Sequence, residues 1–121
     1  MSTHHATVYG ISNCDTVRKA RKWLEKNDID FTFQDVREQP LEHAQLSAWA
    51  QQVGWEVLFN KRSTSYRALT DEQKQNLDES SALALILEQP TLMKRPVLVI
   101  AETLIVGFND KLYSPLLAQG N

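Results

Sequence analysis

The sequence predicts an α/β chain of the α+β type, in which a β-α-β opening and a β-β-α ending enclose a helical middle. Three observations carry this. Strand-like runs rich in β-branched and aromatic residues stand near both ends, apolar residues spaced by three and four dominate the middle, and 121 residues suit one domain with one core. The expected organisation is a single domain over 1–121 with a helical insertion at about 40–92.

The elements follow in order. "ATVYGI" (6–11) is short, β-branched and aromatic, and Ser12, Asn13 and Asp15 behind it are turn and cap types. From Thr16, the residues Val17, Ala20, Trp23 and Leu24 recur at helical spacing among Arg18, Lys19, Arg21, Lys22 and Glu25, which predicts an amphipathic helix ending near "KND". "IDFTFQDV" (29–36) alternates apolar and polar residues as a strand buried on one face does. Two strands joined through a helix are most readily parallel neighbours. "LEHAQLSAWAQQVG" (41–54) reads as a helix stopped by Gly54; "TDEQKQNL" opens with Thr70 and Gln73 as a capping box; "SSALALILEQP" is a third helix, stopped by Pro90. "RPVLVIA" (95–101) suits a strand buried on both faces in which Pro96 can occupy only the first position, and "TLIVG" (103–107) follows so closely that an antiparallel hairpin is expected. "NDKLYSPLL" (109–117) reads as one closing helix, with Asn109 or Asp110 as cap and Leu112, Leu116 and Leu117 for packing.

Composition narrows the function classes. Fifteen acids against thirteen bases give no general reason to expect nucleic acid or an anionic membrane as partner. One cysteine forms no internal disulfide, the N-terminus lacks the pattern of a secretory signal, and no apolar run approaches the ~20 residues that span a bilayer. A soluble protein of the reducing cytoplasm is expected.

That cysteine, Cys14, lies where the first strand gives way to the first helix. Orphan N–H groups and the positive end of the macrodipole favour an anion there, and the thiolate is the reactive form of cysteine. Arg18, one turn on, adds a positive charge; Asp15 opposes it unless it turns away. A small buried hydrophobe is the competing reading of a free cysteine. His4 and His5 have no partners at metal-ligand spacing, so no metal is expected. His43 falls on a wet helical face, and Trp23, Trp49 and Trp55 fall at core-like positions.

The stretches "VYGISNCDTVRKARKWLE", "FTFQDVRE", "GWEVLFNKRSTSYRAL", "KRPVLV" and "LIVGFND", running from about Thr7 to Leu117, together resemble the arsenate reductase-related branch of the thioredoxin fold. This is the group containing ArsC and the regulator Spx, and the likeness is strongest to its YffB-like members. The resemblance implies a thioredoxin-like fold, a four-stranded mixed sheet with flanking helices and an inserted helical subdomain. It makes Cys14 the catalytic nucleophile, Ser12, Asn13 and Arg18 parts of an anion-cradling loop, Arg95 a holder of a carboxylate or oxyanion, and Pro96 a cis proline facing the thiol. The donor-rich loop from Arg62 to Arg67 would line the cleft. Arsenate reductases place arginines around the oxyanion; one of those positions falls on Asn60, with Arg62 two residues on as a substitute, and another on Gly107. Arsenate is therefore a poor fit. Regulators of the Spx type carry Cys-x-x-Cys, and Val17 takes the second position, which excludes an internal disulfide switch.

The expected function is thus a thiol oxidoreductase working through a mixed disulfide at Cys14, with glutathione as co-substrate and an oxidised thiol as substrate. Its rivals are an arsenate or other oxyanion reductase, and a non-catalytic module that docks on RNA polymerase or another protein partner.

Overall fold

A computed structural model of the protein describes residues 5–119. In chain order the elements are β1 (Ala6–Gly10), α1 (Asp15–Lys26), β2 (Phe31–Asp35), α2 (His43–Val53), α3 (Trp55–Leu58), α4 (Thr64–Arg67), α5 (Asp71–Gln75), α6 (Glu79–Glu88), a 3₁₀ turn (Pro90–Leu92), β3 (Val97–Ile100), β4 (Thr103–Val106), α7 (Asp110–Tyr113) and α8 (Pro115–Gln119). They fall into two compact units, one built from Met1–Gln39 with Arg95–Asn121, the other from Pro40–Lys94.

The first unit holds a four-stranded sheet in the order β2-β1-β3-β4. β1 runs parallel to β2, with Ala6 opposite Phe31 and Gly10 opposite Asp35. It runs antiparallel to β3, with Tyr9 opposite Val97, and β3 turns back into β4 through a hairpin in which Ala101 takes a φ of 53°. This mixed sheet with flanking helices is the thioredoxin-like α+β fold. The β1–α1–β2 crossover was legible because alternation in 29–36 and helical spacing after Thr16 leave few other arrangements. Ala6, Val8, Ala20, Leu24, Leu98, Ile100, Tyr113 and Leu116 form the unit's buried cluster. Gly10 lets α1 close on the end of β1: a Cβ there would meet Val17 Cγ2 at 2.7 Å.

The closing segment departs from the expected single helix. Tyr113 and Leu116 are buried, whereas Leu112 and Leu117 are 41% and 47% exposed. Pro115 has no N–H to continue α7 and starts α8 instead, so the leucines do not share one stripe.

The second unit contains more helix than expected. Three helices were foreseen, but "WEVL" and "TSYR" also make one-turn helices, each too short for periodicity to reveal. Gly54, at φ 93°, joins α2 to α3. Thr70 and Gln73 form the expected capping box on α5, and Asp78 with Ser81 form another on α6. Helices α2, α3 and α6 pack together, and Phe59 bridges to Met93. Among the described residues, no helix is long and apolar enough to cross a membrane.

Candidate functional site

The C-terminal ends of parallel strands are where α/β folds leave room for ligands, and β1 and β2 both end beside Cys14. β1 ends at Gly10 and the chain turns through Ile11, Ser12 and Asn13 before α1 begins. The Cys14 N–H donates to the Ile11 carbonyl at 3.1 Å, and the Arg18 N–H donates to the Cys14 carbonyl at 3.0 Å as α1 starts. Cys14 is thus the N-cap residue itself, in extended conformation (φ −94°, ψ 126°), and among the described residues no side-chain hydrogen bond caps the helix. Its thiol is half-buried. A cap oxygen normally accepts an N–H of the first turn; here the cap position carries sulfur.

The charges differ from the expected arrangement. Arg18 does not stand alone near the thiol: its guanidinium pairs with the Asp15 carboxylate, three residues back, and both side chains are exposed. Opposite charges at this spacing on a helix surface find each other readily. Farther along α1, Arg21 lies over the Phe33 ring, 4.4 Å from its centroid, so this cation covers an aromatic face of β2.

Two residues of the site were not singled out from sequence. Asp35, at the end of β2, is 9% exposed. Its Oδ2 accepts the Ser12 N–H at 3.1 Å, and its Oδ1 accepts the N–H groups of Arg37 at 2.9 Å and Glu38 at 3.4 Å. Burial alone would raise its pKa, but the Ser12, Arg37 and Glu38 N–H groups together outweigh burial and hold the carboxyl below its ordinary value. The second residue is Arg37, whose Nη2 donates to Asn13 Oδ1 at 3.3 Å and so brings an exposed guanidinium to the residue preceding Cys14. Asp35 reads in sequence as the polar end of a strand and Arg37 as a loop residue; only the parallel pairing of β1 and β2 puts them at the thiol's loop.

Arg95 and Pro96 lie immediately before Val97, the partner of Tyr9, and therefore at the same end of the sheet as Ile11–Cys14. The Arg95–Pro96 peptide is cis. Arg95 is half-buried, and its Nε is buried with no hydrogen-bond partner among the described residues. The Pro96 carbonyl accepts the Gly107 N–H at 2.8 Å.

Asn60 and Arg62 belong to the helical unit. The Asn60 N–H donates to the Leu92 carbonyl at 2.7 Å, and its Oδ1 accepts the Arg62 N–H at 3.0 Å. Asn60 thereby shapes the loop entering α4, where Ser63 is the N-cap and accepts the Tyr66 N–H. The Arg62 and Arg67 side chains are exposed, and Tyr66 packs edge-on to Phe59 beneath Lys74. His43 is exposed at the start of α2. His5 hydrogen-bonds Thr32 Oγ1, and His4 lies outside the described residues.

A thioredoxin-like sheet with one thiol at the first helix cap and a cis proline at the same sheet end defines a class of thiol proteins. Within it, the chain belongs to the ArsC family, whose model matches residues 9–115. It is 45% identical over 112 residues to an uncharacterised protein of Haemophilus influenzae, covering 93% of this chain and 98% of that one. It is 32% identical over 109 residues to the global transcriptional regulator Spx of Enterococcus faecalis, covering 86% of this chain and 80% of Spx. The structure of a YffB protein superposes with a TM-score of 0.88 at 37% identity, over 93% of this chain and 98% of that one.

Proposed function

We propose that the protein is a glutathione-dependent thiol oxidoreductase with Cys14 as nucleophile. The observation that carries this reading is a half-buried thiol standing as the N-cap of a 12-residue helix that, among the described residues, no side-chain hydrogen bond caps. The first N–H groups of such a helix stabilise an anion, which is the attacking form of a thiol. Membership of the ArsC family supports a thiol-based reductase of the thioredoxin fold.

In the proposed reaction the Cys14 thiolate attacks the glutathione sulfur of a substrate disulfide. The substrate S–S bond breaks, the substrate leaves as a thiolate that takes a proton from solvent, and Cys14 is left in a mixed disulfide with glutathione. The chain has no second cysteine to resolve it. A second glutathione, as thiolate, attacks the bound glutathione sulfur, releasing oxidised glutathione and restoring the Cys14 thiolate. Arg95 is assigned to a glutathione carboxylate on family resemblance and lies at the same sheet end as Cys14, and Arg37 offers an exposed guanidinium beside Asn13. Asn60 and Arg62 are assigned to substrate on family resemblance, and Arg18 contributes less than a free cation because of Asp15.

The likeness to Spx favours one other reading, a module that docks on a protein partner without chemistry. The test is release of free thiol from a glutathionylated peptide in the presence of reduced glutathione. Wild type is expected to turn over and Cys14→Ser to be inactive. Reduction of arsenate with glutathione, and not of the peptide, would transfer the reading to an oxyanion reductase. Inactivity toward both would leave docking.

A further inference from the structure

We propose that Asp35 is a positioning residue for the nucleophile, a carboxylate that locks the Cys14 loop to the end of the neighbouring strand. The proposal rests on the reading of Cys14 as nucleophile and adds a residue that acts on it through the backbone of Ser12. The Ile11–Cys14 turn has one backbone tie of its own, Cys14 N–H to the Ile11 carbonyl. The other holds come from the β2 side. The Val36 N–H reaches the Gly10 carbonyl at 2.9 Å, Asp35 Oδ2 accepts the Ser12 N–H, and Arg37 Nη2 donates to Asn13 Oδ1.

Of these three, the Asp35 contact is the one made by a buried side chain, and it is doubly anchored. Oδ1 fixes the turn that follows β2 through the Arg37 and Glu38 N–H groups, while Oδ2 crosses 23 positions of sequence to Ser12. One carboxylate therefore sets the path of the chain two residues before Cys14 and the backbone of Arg37, whose guanidinium returns to Asn13. Charge-assisted bonds from an ionised carboxylate to N–H groups are stronger than neutral ones, and displacing a reacting atom by about 1 Å can cost up to about a hundredfold in rate. A neutral acceptor with one oxygen can serve Ser12 or the Arg37 turn, not both.

The test compares wild type with Asp35→Ala, Asp35→Asn and, as a control of similar destabilisation away from the loop, Leu116→Ala. Three quantities are read: the alkylation rate of Cys14 by iodoacetamide at pH 7, the kcat and KM for a glutathionylated peptide, and the NMR resonance of the Ser12 amide. Asp35→Ala is expected to slow alkylation and lower kcat roughly tenfold with KM little changed, and to shift the Ser12 amide upfield as its acceptor is lost. Asp35→Asn is expected to fall between Asp35→Ala and wild type, and it carries the test if the alanine variant does not fold. The proposal is overturned if Leu116→Ala loses as much kcat at equal loss of thermal stability. It is equally overturned if both Asp35 variants react as fast as wild type or faster, since Asp35 would then act only as a nearby charge. Absence of peptide turnover in wild type counts against the oxidoreductase reading, whereas the alkylation rates and the Ser12 resonance still decide the role of Asp35.

Discussion

At the scale of single residues, three positions report on the packing of the unit that carries the thiol. Gly10 stands where a methyl group would press on Val17, which is fully buried and has no long side chain to swing away. Gly10→Ala is expected to lower stability by about 1–3 kcal/mol in denaturant unfolding. Tyr113 is fully buried, its ring meets Trp23 and Phe108 edge-on, and its hydroxyl has no partner among the described residues. Burial raises its pKa well above the usual phenol value. Tyr113→Phe keeps the ring contacts and removes the unpaired hydroxyl, so a gain of about 1 kcal/mol is expected. Asp35 supplies the pH dependence. Its folded-state pKa is lowered, so its contribution is complete above the unfolded value near 4 and is lost as pH falls through the folded value. The thermal stability of wild type should therefore fall in that acid range, and Asp35→Asn should flatten that part of the curve of unfolding temperature against pH.

At the scale of elements, the features readable in the chain were those with a repeating signal or a local chemical rule. The amphipathic stripe Val17, Ala20 and Leu24 is buried on α1, and the Thr70–Gln73 box was visible as a four-residue pattern. Thr70→Ala should cost about 1 kcal/mol, measured as a lower denaturation midpoint; an unchanged midpoint would show that α5 contributes nothing to cooperative unfolding. What escaped notice had no repeat to follow. One-turn helices span too few residues for a period, and α7 and α8 are separated by a proline whose effect on facing depends on the turn before it. The candidate site shows the same division. The place of Cys14 at the start of α1 was legible because it sits at a strand-to-helix change, whereas Asp35 and Arg37 reach the same loop only through strand pairing and side-chain reach. The pairing of Arg18 with Asp15 is local, and the spacing allowed it; sequence alone did not choose between Asp15 turning to Arg18 and Asp15 opposing the thiol.

At the scale of the whole molecule, a small α+β sheet presents one thiol at a helix cap, and in the proposed reaction a thiol in solution resolves the mixed disulfide while cations of the site meet the substrate's carboxylates. Arg37→Ala is expected to raise KM for a glutathionylated peptide several-fold with little change in kcat, and Arg18→Ala to do less because Asp15 already engages Arg18. The reverse order would mean that the Asp15 pair opens when substrate binds.

The central claim is that the sulfur at the start of α1 exchanges with glutathione. Intact-mass analysis of the protein equilibrated with oxidised glutathione at neutral pH addresses it most directly. One glutathione should attach at Cys14, be removed by excess reduced glutathione, and fail to attach in Cys14→Ser. A chain whose mass stays unchanged under those conditions would contradict the account.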